Sequence, residues 1–196
     1  MTDADAERGS LLVATAFLFL LVWLSVRHAR ASEARALTDE RFYPVPVPKF
    51  LILSISTFGV YHFYWQWRCW RRFRTVGQVA IRPIWRAIFA VFWVKPLFDQ
   101  ANRQAAPPIA RWIGMVGVFG FVIVSITNIL SGHADNWHRA LLLLNMAEPL
   151  FLVPTLIAVN RANPPTARLH NRRIRPIAVA WVILGVALYA VAWLKE

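Results

Sequence analysis

One acidic residue stands apart in this chain. Glu148 is the ninth residue of an otherwise apolar run, Ala140 to Val159. At a rise of about 1.5 Å per helical residue it lies roughly 12 Å along that run, near the middle of a hydrocarbon core about 30 Å thick. A carboxyl at that depth is costly and faces a bundle interior or a cavity, where it can relay protons or couple to a substrate. Asn145 lies three residues earlier on the same face, and Pro149 and Pro154 interrupt the backbone ladder nearby, freeing carbonyls. Asn128 and Thr127 are positioned to supply partners from the preceding run. The competing reading is a protonated glutamic acid acting as hydrogen-bonded glue between helices.

A second constellation suits binding rather than catalysis. Between Lys49 and Arg74 the chain reads KFLILSISTFGVYHFYWQWRCWRRFR, with 18 residues free of Lys, Arg, Asp and Glu from Phe50 to Trp67. Phe63, Trp67 and Trp70 recur at i, i+4 and i+7, while Arg68, Arg71 and Arg72 take a neighbouring face. This predicts an amphipathic interfacial helix, aromatic below and cationic above, able to recognise anionic lipid headgroups or an acidic partner. An aromatic belt with snorkelling arginines that only fixes depth has the same pattern. His133, Asp135 and His138 share a polar loop, but their spacing matches no metal site, so no metal is assigned. The loop holding Arg161, Arg168, Arg172, Arg173 and Arg175 reads as an orientation signal. Cys69 is the single cysteine, which excludes an internal disulfide and a paired-cysteine metal site. The chain contains no GxSxG, HExxH or P-loop signature, so no catalytic residue and no cofactor is assigned.

The elements carrying these residues follow from composition. The chain is 58% apolar with 10 Trp, yet its net charge is +12. A soluble domain of 196 residues lacks the interior to hide so much apolar side chain, so the excess must face lipid. The arginines cluster between apolar runs, as in loops at an anionic leaflet, and no nucleic acid is expected. Leu11 to Val26 is a retained first span rather than a signal peptide, because the residues before it are acidic rather than basic. The prolines at 44, 46 and 48 predict an extended connector. Ile109 to Leu130 is a span in which Gly114, Gly117 and Gly120 allow close helix approach, and Ala140 to Val159 and Ile177 to Leu194 complete the set.

Two runs are harder to place. Phe50 to Trp67 is centred on Gly59, and in Ile81 to Phe98 only eight uncharged residues lie between Arg86 and Lys95, too few to cross. If both return to the side they entered from, 19 of the 22 Lys and Arg fall on the inside, leaving Arg8, Arg139 and Lys195 outside. Letting both runs cross gives 13 inside, and letting the first cross alone gives 15. The expectation is therefore an all-α polytopic membrane protein of four full transmembrane helices plus two re-entrant or interfacial helical elements. Both termini lie outside. Residues 1–48 form the first span and linker, 49–108 the aromatic-basic region and 109–196 a three-helix membrane region. Gly59 is the turning point of the first re-entrant element, since glycine accepts left-handed conformations.

These residues also resemble an uncharacterised family of bacterial inner-membrane proteins. Leu53, Ser54, Thr57, Gly59, Tyr61, Tyr64 and Trp65 match its Leu-Ser-x-x-Thr-x-Gly-x-Tyr-x-x-Tyr-Trp core, and Pro83, Trp85, Arg86 and Ala87 match a Pro-x-Trp-Arg-Ala element. Pro149 to Asn163 is similar to that family's span ending in an Asn-rich junction. The resemblance covers about half the chain and implies location and fold without an activity. It places the chain in the bacterial inner membrane. Three functions are then compatible with the residues. The first is an interaction or scaffold protein docking anionic lipid or a partner through Arg68, Arg71, Arg72, Trp67 and Trp70. The second is a small oligomeric, proton-coupled permease using Glu148. The third is a lipid-active enzyme, for which no nucleophile–base pair is visible.

Overall fold

The computed structural model describes residues 40–57, 59–131 and 138–165, with positions 179, 182 and 183. The predicted first span, all but three positions of the predicted last span, His133, Asp135 and the arginines at 168, 172, 173 and 175 lie outside the described residues. The chain divides into two compact units, Met1–Leu37 and Thr38–Glu196, and every described residue belongs to the second. Among the described residues every regular element is a helix, as expected.

The proline-rich connector is extended up to Pro46 (φ −57°, ψ 137°), and helix α1 then runs Val47–Ser56. Pro48 falls within its first turn, where a missing N–H costs nothing, so the helix starts earlier than the last proline suggests. Thr57 ends α1 and starts α2, Val60–Gly77. Its hydroxyl donates to the Leu53 carbonyl at 2.6 Å and accepts the Tyr61 N–H at 3.0 Å. Between the two helices Gly59 adopts φ +83°, and its N–H reaches back to the Ser54 carbonyl at 2.8 Å. The predicted turning point is thus a left-handed joint that only glycine holds without strain.

The second short run is also interrupted. Helix α3, Pro83–Ile88, begins on a proline and stops at Phe89, and α4 resumes at once as Ala90–Gln104. Asn102 then clasps the following segment, donating to the Ile109 carbonyl at 3.0 Å and accepting the Ile109 N–H at 2.7 Å. Helix α5, Arg111–Ser131, is the longest, and among the described residues it alone is long and apolar enough to cross a membrane.

The predicted span Ala140 to Val159 is not one helix. It divides into α6, His138–Phe151, and α7, Val153–Arg161, around a turn at Leu152. Pro149 and Pro154 each withhold an N–H from the carbonyl four residues earlier, and two such losses within six residues end the ladder. Neither piece reaches the roughly 20 residues that a full crossing needs. Four separate full spans are therefore not what the described residues contain.

Helices α4, α5, α6 and α7 pack together, with α1 and α2 against them. The glycines of α5 bring these backbones close. A Cβ at Gly114 would strike the Phe98 ring, one at Gly120 the Phe151 ring, and one at Gly117 would stand 2.6 Å from the Phe151 carbonyl oxygen. Helices α4 and α5 contribute to one core. The opposite side of α5 is bare, with Trp112, Val116, Phe119, Ile123, Ile126 and Leu130 exposed at alternating steps of four and three.

Candidate functional site

The predicted aromatic-basic face separates into two. Trp70 and Arg68 are fully buried and Arg72 is buried, so they form no surface. Arg68 lies 4.5 Å above the Tyr43 ring and 6.0 Å from Tyr64. Arg72 pairs with Glu40, donates to the Phe42 carbonyl at 3.3 Å and lies 5.2 Å from the Tyr43 ring. The extended connector therefore lies along α2 and supplies an acid, a carbonyl and an aromatic face to two arginines one turn apart. The same segment accepts the Trp65 indole N–H at the Tyr43 carbonyl, at 3.1 Å. Cys69 sits beneath it, and burial pushes its thiol up to about 12. As a docking surface Arg68, Arg72 and Trp70 are corrected: their positions on the buried side of α2 commit them to the core.

What α2 shows outward runs along its axis rather than across it. Val60 and Phe63 are exposed, Trp67 and Arg71 are half-buried, and Arg74 is exposed, at successive spacings of 3, 4, 4 and 3. The Arg71 guanidinium lies 5.4 Å from the Trp67 ring. The stripe passes from aliphatic through aromatic to cationic over about 21 Å of helix.

The second constellation closes inside the bundle. Glu148 is 6% exposed and accepts a hydrogen bond from the Ser125 hydroxyl on α5. Thr127, one of the two partners expected from the preceding run, is exposed and instead bonds its own helix at the Ile123 carbonyl, 2.9 Å. Asn128 is half-buried one turn beyond Ser125, and the Asn145 side chain lies outside what is described. The residue missed by sequence is His62. It is 1% exposed, edge-on to Phe121 at 5.4 Å, and approaches Gly59 from the same side as the Glu148 carboxyl. Its position three residues after Gly59 was the available signal, because a histidine in an apolar run needs a partner.

Two further devices had no sequence prediction. Arg86 sits between two indole rings, 4.4 Å from Trp70 and 4.2 Å from Trp93, so the charge that shortens the second run is solvated by π faces. Asn160 brackets Val45, accepting its N–H at 3.0 Å and donating to its carbonyl at 2.8 Å, while Asn163 accepts the Phe42 N–H at 3.2 Å. These two asparagines fasten the connector to the end of α7.

Compared with family models, curated proteins and solved structures, the chain matches none.

Proposed function

We propose that this chain is an integral protein of the bacterial inner membrane, a member of the uncharacterised family it resembles, and that it holds anionic lipid headgroups against the cationic end of α2. The carrying observation is the outward stripe Val60, Phe63, Trp67, Arg71 and Arg74, whose gradient matches the passage from acyl chains to headgroups. The bare apolar side of α5 supports the membrane setting, with Trp112 at 70% and Leu130 at 73% exposure. In this reading α5 crosses the membrane and α6 and α7 cross together as one broken helix. The predicted spans 11–26 and 177–194 complete four crossings with both termini outside. The interrupted pairs α1–α2 and α3–α4 return as re-entrant or interfacial elements, covered by protein as non-spanning backbone at membrane depth requires.

The test uses the full chain in bilayers of mixed phosphatidylglycerol and phosphatidylcholine. The part of the tryptophan quenching by brominated lipid of either type that is lost in Trp67→Phe reports which lipid neighbours Trp67, since the chain has 10 Trp. Each arginine near an anionic surface is worth about 1 kcal/mol, so Arg71→Gln with Arg74→Gln lowers the preference for phosphatidylglycerol roughly 30-fold. An unchanged preference in that variant removes the proposal.

A further inference from the structure

We infer that His62 and Glu148 form an internal proton site, sharing one exchangeable proton through water at the point where two interrupted helices meet. The inference is independent of the lipid reading and rests on residues that no part of that reading uses.

The geometry comes from Gly59. A methyl group there would stand 2.9 Å from His62 Cε1, 3.3 Å from His62 Nδ1 and 3.8 Å from Glu148 Oε2, so imidazole and carboxyl converge on one stretch of bare backbone. That stretch is the joint between α1 and α2. Glu148 itself directly precedes Pro149 and lies four residues before the α6–α7 turn. Interrupted helices meeting at a buried ionisable group recur where membrane proteins bind protons and small ions.

The second observation is the state of the histidine. Among the described residues neither ring nitrogen of His62 has a hydrogen-bond partner, although the residue is 1% exposed. Gln66, one turn further along the same face of α2, is fully buried with both amide atoms unpartnered, and the buried hydroxyls of Ser54 on α1 and Thr155 on α7 are in the same condition. Buried polar atoms are satisfied by protein or by ordered water, so each of these groups is a place where a water can bind.

Charge sets the proton count. With one proton the pair is either carboxylic acid and imidazole or carboxylate and imidazolium, and both states are neutral overall. Removing that proton leaves a lone carboxylate in apolar surroundings, and adding another leaves a lone imidazolium; each is costly. The exchange is a plain transfer: the carboxyl O–H breaks, a water passes the proton on, and an N–H forms on the ring. Ser125, whose hydroxyl donates to Oε1, favours the ionised carboxylate. The other ionisable groups of the packed elements have partners or surroundings of their own. Lys49 is at the far end of α1. On α2 Tyr61 contacts Phe50, Tyr64 and Arg68 lie against the Tyr43 ring, and Cys69 meets the Tyr43 carbonyl. Farther along, Arg71 lies over Trp67, Arg72 pairs with Glu40 and Arg74 is exposed. Arg86 of α3 lies between Trp70 and Trp93, Lys95 of α4 pairs with Asp99, and Arg82 and Arg103 are exposed. After Arg111, α5 has none, α7 has none before Arg161, and α6 has only His138 and Arg139 at its start.

The experiment is solid-state NMR on the full chain in bilayers, with ¹⁵N-histidine and ¹³C-glutamate, the His62 signals being assigned by their loss in His62→Phe. Between about pH 5 and 8 the two groups are expected to hold one proton in total. Glu148→Gln is expected to abolish any imidazolium signal of His62 and to move its hydrogen-bonded nitrogen resonance. Ser125→Ala is expected to lower the imidazolium fraction several-fold by returning the proton to Glu148. If the glutamine variant does not fold, the wild type and Ser125→Ala still decide. His62 nitrogens that carry no hydrogen bond in the wild type, or that are identical in wild type and Ser125→Ala, overturn the inference.

Discussion

Arg68 and Arg72 share a helical face with His62, Trp65 and Cys69, whereas Arg71 and Arg74 share one with Phe63 and Trp67. A one-residue difference in register thus separates the buried arginines from the outward ones. Arg72→Gln leaves Glu40 buried without its cation, and the expected loss is about 3–5 kcal/mol of unfolding free energy. Arg71→Gln removes a half-buried charge that lies over the Trp67 ring and is expected to cost no more than about 1 kcal/mol. Thermal unfolding in detergent compares the two directly; equal effects contradict the assignment. Gly59→Ala combines a positive φ with a methyl 2.9 Å from the His62 ring, for an expected cost of about 1–3 kcal/mol. At Cys69, complete burial and the suppressed thiolate predict negligible labelling by a maleimide reagent in the folded protein and full labelling after denaturation.

The helices themselves divide into those their own sequences explain and those that distant residues decide. Glycines at every third position marked α5 as a close-packing helix, and Gly59 marked the joint before α2, because both are local demands on backbone space. The partition of α6 from α7 was half visible: two prolines announced a weakened ladder but not whether the helix would bend or stop. The burial of Arg68 and Arg72 was not legible, since it depends on Glu40 and Tyr43 lying back along α2, and no periodicity within α2 encodes that. Ser125 was passed over for the same reason, its usefulness fixed by the rotation of α5 against α6. The family-like core also changes meaning once folded. Leu53, Ser54 and Thr57 supply the carbonyls and hydroxyl of the joint, and Trp65 anchors the connector, so these residues serve the fold. At this scale Gly117→Ala is expected to destabilise more than Gly77→Ala. The first meets a backbone oxygen that cannot move aside, the second only a valine methyl at 3.3 Å at the exposed end of α2. Chemical denaturation of both variants checks the order.

Taken whole, the molecule makes a topological prediction that ignores side-chain detail. With Cys69 replaced and single cysteines at Thr75, Gln104, Gly132 and Ala167, an impermeant reagent applied to intact cells is expected to label Gly132→Cys alone. Labelling at Thr75→Cys instead would carry the cationic end of α2 to the outer face and end the lipid proposal as stated. The asparagine brackets bear on how such a chain comes into being. Val45 and Phe42 are held by residues 115 and 121 positions later, so their backbone groups have no bracket while the ribosome is still making the middle of the protein. At about 5–20 residues per second that interval is roughly 6–23 s. During it the Val45 N–H and carbonyl and the Phe42 N–H have water as their partner. The connector is thus fastened by the last-made described helix, and a chain stalled before Asn160 emerges unlatched, with Phe42 and Val45 held only by the earlier helices.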